Sequence, residues 1–520
     1  MKPRNGRVVI SSSCALLCAG LAYGQGRGGN DWATSGNDPQ RSSWVRTDAK
    51  ISPAGLEKPG FAFLWKQKLA SDPHGLNSLT EAVLMERYIG YRGFRSYAHL
   101  ATSGDTVVAL DTDLGRIEWK QSIGTGGASG TSACPGGLTA TPARATSAAF
   151  PTPQAGRGFG GGRGGPAKSG VGQAGEGAVT LAALATPPAG NRGGAPDAAA
   201  GRRGGGGGQQ RMPTFLYAMS SDGKLHAMYV SNGEQPTPAI PFLPANANAG
   251  GLAVVDNVAY VATSNSCAGA PNGVWALDLA TKQVTSWKAG GNLAGTAGPA
   301  FGPDGTIYIG TDTGDLVALA PKTLNVIATY KSGGSPFVSS PLVFEYKDKP
   351  FVAIAARDGA IHLLPATLES AVFKSPASSA SGEPRALSSW QDSDGVRWIL
   401  APGAGSMIAW KVVDRNGAPA MEQGWTSRDL VAPPPPMVVN GVVFAVSSGE
   451  AKASDAKAIA QRSGKAVLYA LDGRTGKELW NSGNTITSFV HSGGLSAAGS
   501  QLYLSTYDGT LYAFGFPIEH

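Results

Sequence analysis

Cysteine is scarce in this chain of 520 residues. Of the four present, Cys14 and Cys18 fall inside the first 24 residues, leaving Cys134 and Cys267. Two cysteines cannot supply a disulfide-stapled miniprotein or a cysteine-rich metal fold. The chain has no Cys-x-x-Cys-His, so that motif attaches no haem here, and no two of its cysteines are adjacent. It also lacks His/Cys metal spacing, a phosphate-binding glycine loop and a nucleophile elbow. No long helical period interrupts it, which argues against a helical or mixed architecture. The formal charge of +7 gives no basic body either. Lys2, Arg4 and Arg7, with the arginines of a glycine-rich stretch at 150–211, account for the whole excess. The remainder is near neutral, which gives no mandate for nucleic acid.

What is present is repetition. The phrase Ala470-Leu471-Asp472-Gly473-Arg474-Thr475-Gly476-Lys477-Glu478-Leu479-Trp480 recurs in weaker form. One copy has Asp111, Gly115 and Trp119, and another has Asp278, Thr281 and Trp287. An apolar strand ends at Asp, the Asp and a Thr-Gly step make a turn, and a second strand leads to Trp. Asp accepts hydrogen bonds from backbone amides at a turn, and Gly476 supplies the positive φ. The opening residue of the phrase aligns with Ala109, Ala227, Ala276, Ala318, Leu363, Ala409, Ala470 and Ala513. Apart from two longer gaps, the spacing is the roughly 40–50 residues of a propeller blade. Short β-rich runs precede each anchor, and Asp-Gly turns at 222–223, 358–359 and 508–509 link strands. Small polar segments, Ser335 to Pro341 and His491 to Gly499, suit a crowded inner strand.

These units predict an all-β, eight-bladed β-propeller of four-stranded blades over residues 63–520. The last unit stops at Phe516 without an outer strand, whereas Phe63 to Leu69 reads as an outer strand with no unit before it. The N-terminal strand is therefore expected to join the last blade and close the ring. Residues 25–62 form an opening segment.

Residues 1–24 read as a cleaved signal peptide, with a basic start, an apolar middle from Val8 to Leu21 and a cut before Gln25. The apolar stretch is too short and too rich in Ser for a membrane span. Cys18 admits a lipoprotein, but Leu16-Leu17 before it match that pattern poorly. The expectation is a periplasmic or secreted monomer. In an oxidising compartment Cys134 and Cys267 are an even pair; a disulfide and two separate thiols both stay open. Residues 145–211, dominated by Gly, Ala, Pro and Arg, hold too few large apolar side chains to offset ordering entropy and are expected to be disordered. The stretch Glu450 to Lys465 reads as a long hairpin loop.

The phrase at 470–480 resembles the tryptophan-docking repeat of the PQQ-like (quinoprotein alcohol dehydrogenase-like) β-propellers. The segment from Asp31-Trp32 to Trp44, with Gly36, Asp38 and Gln40-Arg41, is similar to the start of PQQ-repeat proteins. That family includes PQQ-dependent alcohol dehydrogenases and the noncatalytic assembly factor of the Bam complex. The resemblance implies that Trp119, Trp287 and Trp480 dock between adjacent blades, with Asp111, Asp278, Asp472 and Gly476 forming the turns. It also implies, for the dehydrogenases, a quinone between a Trp and a disulfide of adjacent cysteines, a calcium held by Glu and Asn, and an Asp base. This chain offers no adjacent cysteine pair, and its inner segments carry few carboxylates. No catalytic, cofactor-binding or metal residue is therefore assigned. His226 and His362 occupy a repeat position that also takes Trp275, Tyr469 and Tyr512, so they read as packing rings. Glu81, Arg385, Trp390, Asp392 and His491 are candidates for a central channel. The favoured function is noncatalytic binding of a protein or small-molecule ligand at a propeller face or funnel. The alternative is a PQQ- and calcium-dependent alcohol or sugar dehydrogenase, whose electron acceptor would be a separate protein.

Overall fold

A computed structural model describes residues 31–517 except 71, 91–92, 128–129, 138–139, 152–213, 378–385, 404 and 492. The predicted signal peptide, nearly all of the glycine-rich insertion, and Arg385 lie outside the described residues. The rest is nearly all β. Strands assemble into seven sheets, five of four strands, one of five and one of eight. The eight-stranded sheet divides into two antiparallel four-stranded halves, joined where Val254 and Val255 pair in parallel with Ala145 and Thr146. This is the architecture of a β-propeller. Each aligned anchor lies in the third strand of its unit, from Ala109 in Thr106–Asp111 to Ala513 in Thr510–Gly515. These strands are buried on both faces, as stacked sheets require, which is why they read as nearly continuous apolar runs.

The first strands of successive sheets touch one another: Ala300–Phe301 meets Leu342–Tyr346, which meets Ser388–Gln391, then Met437–Val439, then Leu495–Ala498. Leu495–Ala498 in turn meets Val83–Gly90, the first strand of the first sheet. Ala62–Lys68 pairs antiparallel with Thr510–Gly515 as the outer strand of the last sheet, with Trp65 opposite Ala513. The segment before it does something the sequence pattern did not foretell. Residues 33–45 run across the inner strands and accept a backbone hydrogen bond from one sheet after another. Arg144 N–H donates to Ala33 O (2.8 Å), Phe301 to Pro39 (2.9 Å), Val343 to Gln40 (3.0 Å), Ser389 to Ser42 (3.0 Å) and Val438 to Ser43 (2.9 Å). Trp44–Val45 then adds to the sheet edge beside Met437–Val439.

The turn phrase has the expected chemistry. Asp472 Oδ1 accepts from the amides of Arg474 (3.1 Å) and Thr475 (2.9 Å); Asp111 and Asp278 do the same for the second and third residues after them. The docking of tryptophan follows a rule that uses partly different residues. Trp65, Trp119 and Trp425 each lie over a positive-φ glycine of the next sheet, Gly115, Gly233 and Gly476. Each indole Nε1 donates to the carbonyl three residues before that glycine: Thr112 (3.1 Å), Val230 (3.0 Å) and Gly473 (3.0 Å). Trp480 instead packs edge-on against Phe61 and Phe514, because the next unit ends its third strand at Gly515 and has no matching turn.

Trp287 stands in a different register. Where Trp119 pairs with Ala109 across a bulge, the unbulged hairpin at 273–288 places Thr285 opposite Ala276 and Trp287 opposite Val274. Thr285 reaches the next sheet through its hydroxyl to Lys322 O, and Trp287 packs against an apolar cluster that includes Val274 of its own sheet with Phe301 and Ile307 of the next. The stretch 450–465 also differs from a plain loop: Ala456–Arg462 is helical, capped by the Asp455 carboxylate on Ala458 N–H (2.9 Å).

A Cβ at Gly476 would lie 2.5 Å from Trp425 Cε3, and its φ is 71°. Gly476→Ala should therefore destabilise the protein by about 2–3 kcal/mol through strain and overpacking together. Urea unfolding should show this; Gly483→Ala, a positive-φ site with open space around it, separates the strain from the clash.

Candidate functional site

Where the inner strands converge they leave a cavity of about 580 Å³. Its wall takes residues from most sheets, and Ser35, Gly36, Arg41 and Ser43 of the N-terminal segment contribute to it. The lacing of residues 33–45 across the inner strands thus supplies part of the cavity's own lining.

Arg41 is the central polar group of this lining. It is 1% exposed, yet every nitrogen of its guanidinium has a partner. Nε donates to Pro299 O (2.9 Å), Nη2 to Gly251 O (2.9 Å), and Nη1 to Ser35 O (2.5 Å) and Thr34 Oγ1 (3.1 Å). Five fixed donors on one planar group can collect carbonyls from separate segments, which a lysine ammonium does less well. Burial lowers its pKa to about 10, opposed by Glu81 and then Asp38, so it stays charged at neutral pH. Arg41 itself has a left-handed φ of 62°, tolerated because four bonds hold the residue in place.

Glu81, expected near the channel, lies in the cavity wall just before the strand Val83–Gly90. Its carboxylate accepts from the Trp32 indole, Ser35 Oγ (3.0 Å) and Gly36 N–H (3.3 Å). Burial pushes its pKa up to about 7 against those donors and Arg41. His491 also lines the cavity, and its Nδ1 is 2.7 Å from Glu450 Oε1. Trp390 and Asp392, in contrast, point elsewhere. Trp390 is buried and stacked on Trp398 at 6.1 Å, beneath Gly473 of the next sheet. Asp392 closes the following turn through Val396 N–H (2.9 Å), accepts from Trp398 Nε1 (3.1 Å) and faces Arg474. A residue on an inner strand faces either the axis or a neighbouring sheet, and strand alternation puts both of these on the packing side.

His226 and His362 are outside the cavity lining. His226 bridges Gln235 Oε1 (2.8 Å) and Ser220 Oγ (3.0 Å). His362 packs on Phe337 and Tyr330, and burial lowers its pKa to about 4. Both are core rings.

Cys134 and Cys267 are joined in a disulfide with a Cα–Cα distance of 5.6 Å. It lies beside the cavity, since Ser132 and Pro135, flanking Cys134, line it. The rest of the wall mixes amides and hydroxyls, among them Asn77, Asn248, Asn265, Asn292, Thr141 and Thr296, with glycines and aliphatic residues such as Leu293, Ile309 and Leu495. Three prolines, Pro434 to Pro436, form one side.

A calcium-bound quinone would need several carboxylate or carbonyl ligands and a flat ring to lie against. The described lining holds one carboxylate, Glu81, already engaged by three donors, and no Trp, Tyr or Phe. Among the described residues no three His, Cys, Asp or Glu are grouped to share a metal. The disulfide joins loops 133 residues apart rather than adjacent cysteines. The donor set therefore does not fit that group, and no chemical step is derived through it.

Known proteins place this fold. The family model described as outer membrane protein assembly factor BamB matches residues 408–516. No curated protein matches the chain. Quinohemoprotein alcohol dehydrogenase from Comamonas testosteroni is similar in fold, with a TM-score of 0.54 at 12% identity, covering 94% of this chain and 81% of that one. Quinohemoprotein alcohol dehydrogenase ADHIIG from Pseudomonas putida HK5 gives 0.54 at 11%, with the same coverage. A europium-containing methanol dehydrogenase gives 0.52 at 12%, covering 94% and 98%. At such identities the structures speak for the fold alone. With the repeat phrase, the sheet architecture and the match at 408–516 taken together, the chain is similar to the PQQ-like β-propeller repeat proteins.

Proposed function

We propose that this protein is an exported, noncatalytic PQQ-like β-propeller that binds a protein or small-molecule ligand in its central funnel. On this reading residues 1–24 are a cleaved signal peptide, 25–62 are an N-terminal entry segment, and 63–520 form eight four-stranded blades. The strand at Ala62–Lys68 closes the ring by completing the last blade. On the same reading the protein works as a periplasmic or secreted monomer. Among the described residues no helix is long and apolar enough to cross a membrane.

The observation that carries the reading is the cavity lining. Among the described residues its one acid, Glu81, and its one guanidinium, Arg41, hold the N-terminal segment, its one imidazole, His491, is paired with Glu450, and the rest is amide, hydroxyl, glycine, proline and small aliphatic groups. Such a wall suits a ligand recognised by hydrogen bonds and apolar contact. A PQQ- and calcium-dependent alcohol or sugar dehydrogenase is the second reading, favoured by the fold likeness to the quinoprotein dehydrogenases.

Titration of the purified protein with PQQ and calcium separates the two. The binding reading expects no change in quinone absorbance and no thermal shift beyond those of calcium alone. Stoichiometric uptake with dye-linked alcohol oxidation would replace it with the dehydrogenase.

A further inference from the structure

The loop Gly130–Gly137 leaves the first sheet and reaches the third four-stranded unit, passing over the second. It touches the start of the chain's first unit, where a Cβ at Gly75 would lie 2.9 Å from Thr131 O. Its tip closes on itself through Gly130 N–H to Pro135 O (2.8 Å) and Cys134 N–H to Thr131 Oγ1 (3.1 Å). Across the cavity edge, Ala133 O accepts from Asn265 Nδ2 (2.7 Å) and Asn248 Nδ2 (3.3 Å). Asn265 is held in turn by Asn292, through Nδ2 to Oδ1 (2.6 Å) and through its own amide (2.9 Å). Asn248, Asn265 and Asn292, with Ser132 and Pro135 of the loop, are cavity lining. The disulfide between Cys134 and the buried Cys267 fastens the same tip to the same unit.

One carbonyl accepting two side-chain amides is a weak anchor for a loop whose residues 130–133 are exposed. We infer that Gly130–Gly137 is a strap across the cavity, latched by the Cys134–Cys267 disulfide, so that entry to the cavity depends on the redox state of this pair. The inference rests on the cavity being the binding site, but its test needs no ligand. Cys134 is the accessible sulfur. A dithiol reductant attacks there as a thiolate, the S–S bond breaks, and Cys267 leaves as a thiolate that takes up a proton. The second thiol of the reductant then releases Cys134 and becomes oxidised to its own disulfide, two electrons having passed to the protein.

Ser43 lines the cavity, and its side chain can carry a reporter as Ser43→Cys. Alkylation of that cysteine by a bulky maleimide and by iodoacetamide is to be timed with the latch intact and with Cys134→Ser/Cys267→Ser, reading residue 43 by peptide mass. Release of the strap should speed the bulky probe about 10-fold and the small one much less, with faster amide exchange across 130–137. Equal rates for the bulky probe in both proteins, with unchanged exchange, overturn the inference. If the double serine variant does not fold, the same comparison is made on the folded Ser43→Cys protein before and after reduction by dithiothreitol, and the same outcomes decide. Absence of any ligand for the cavity would sink the binding role while leaving these rates as they are.

Discussion

Arg41→Ala should lower the unfolding free energy by about 4 kcal/mol, among the largest effects available to one side chain here. The reason is not the lost charge but the acceptors left behind. Pro299 O, Gly251 O, Ser35 O and Thr34 Oγ1 all lose their donor in a place where the guanidinium was 1% exposed. Each buried carbonyl without a partner costs about 1–3 kcal/mol, less whatever water enters the space. The loss should be felt far from residue 41, since Gly251 lies in the strand Asn248–Val255 and Pro299 just before Ala300–Phe301 of another sheet. Arg41→Lys keeps the charge but not the planar fork, and should recover only part of the loss. Urea unfolding followed by tryptophan fluorescence measures both, and a loss below about 1 kcal/mol for alanine would refute the role assigned to the guanidinium.

Glu81→Gln should remove much of the pH dependence of stability between about pH 4.5 and 7. Burial raises the Glu81 pKa from 4.5 to about 7, and Glu86, also desolvated and near Asp31, is raised to about 7. A carboxyl whose folded pKa exceeds its unfolded one holds its proton more tightly when folded. Its contribution to stability is full below pH 4.5 and is lost as pH rises to 7, after which it is constant. For Glu81 alone the span is worth about 3 kcal/mol at most, since one pKa unit is about 1.4 kcal/mol. Glutamine cannot ionise, so the variant's stability should fall less over that range, with Glu86 left to titrate. Stability at pH 5, 6, 7 and 8 for both proteins checks the sign. An unchanged slope would show that Trp32, Ser35 and Gly36 keep the carboxylate ionised throughout.

These two residues mark the boundary of what a linear reading could reach. Glu81, expected at the channel, lines the cavity, just before the strand Val83–Gly90. Trp390 and Asp392 sit at an equally inner position and face a neighbouring sheet instead. Repeat spacing locates a strand; the side to which a residue turns depends on twist and register, which one bulge alters. Trp287 shows the same thing. It has the expected phrase before it, but without the bulge of its relatives it shifts by two positions, and Thr285 takes the place opposite the anchor Ala276. Trp65 and Trp425 dock as Trp119 does, though the first stands outside any repeat phrase and the second follows a longer hairpin. Position relative to the anchor strand would have found both.

The sequence by itself determined the all-β class, the positions of the third strands and the Asp-capped turns. Those depend on interactions within a dozen residues and on a repeat that the chain states openly. Tertiary structure alone decided the rest: that residues 33–45 lace the inner strands, that Arg41 gathers carbonyls, and that Cys134 meets Cys267. The Arg41 bond to Pro299 spans 258 positions, and the disulfide spans 133. Such contacts have no local signature, because they exist only once sheets built from separate parts of the chain have been brought together.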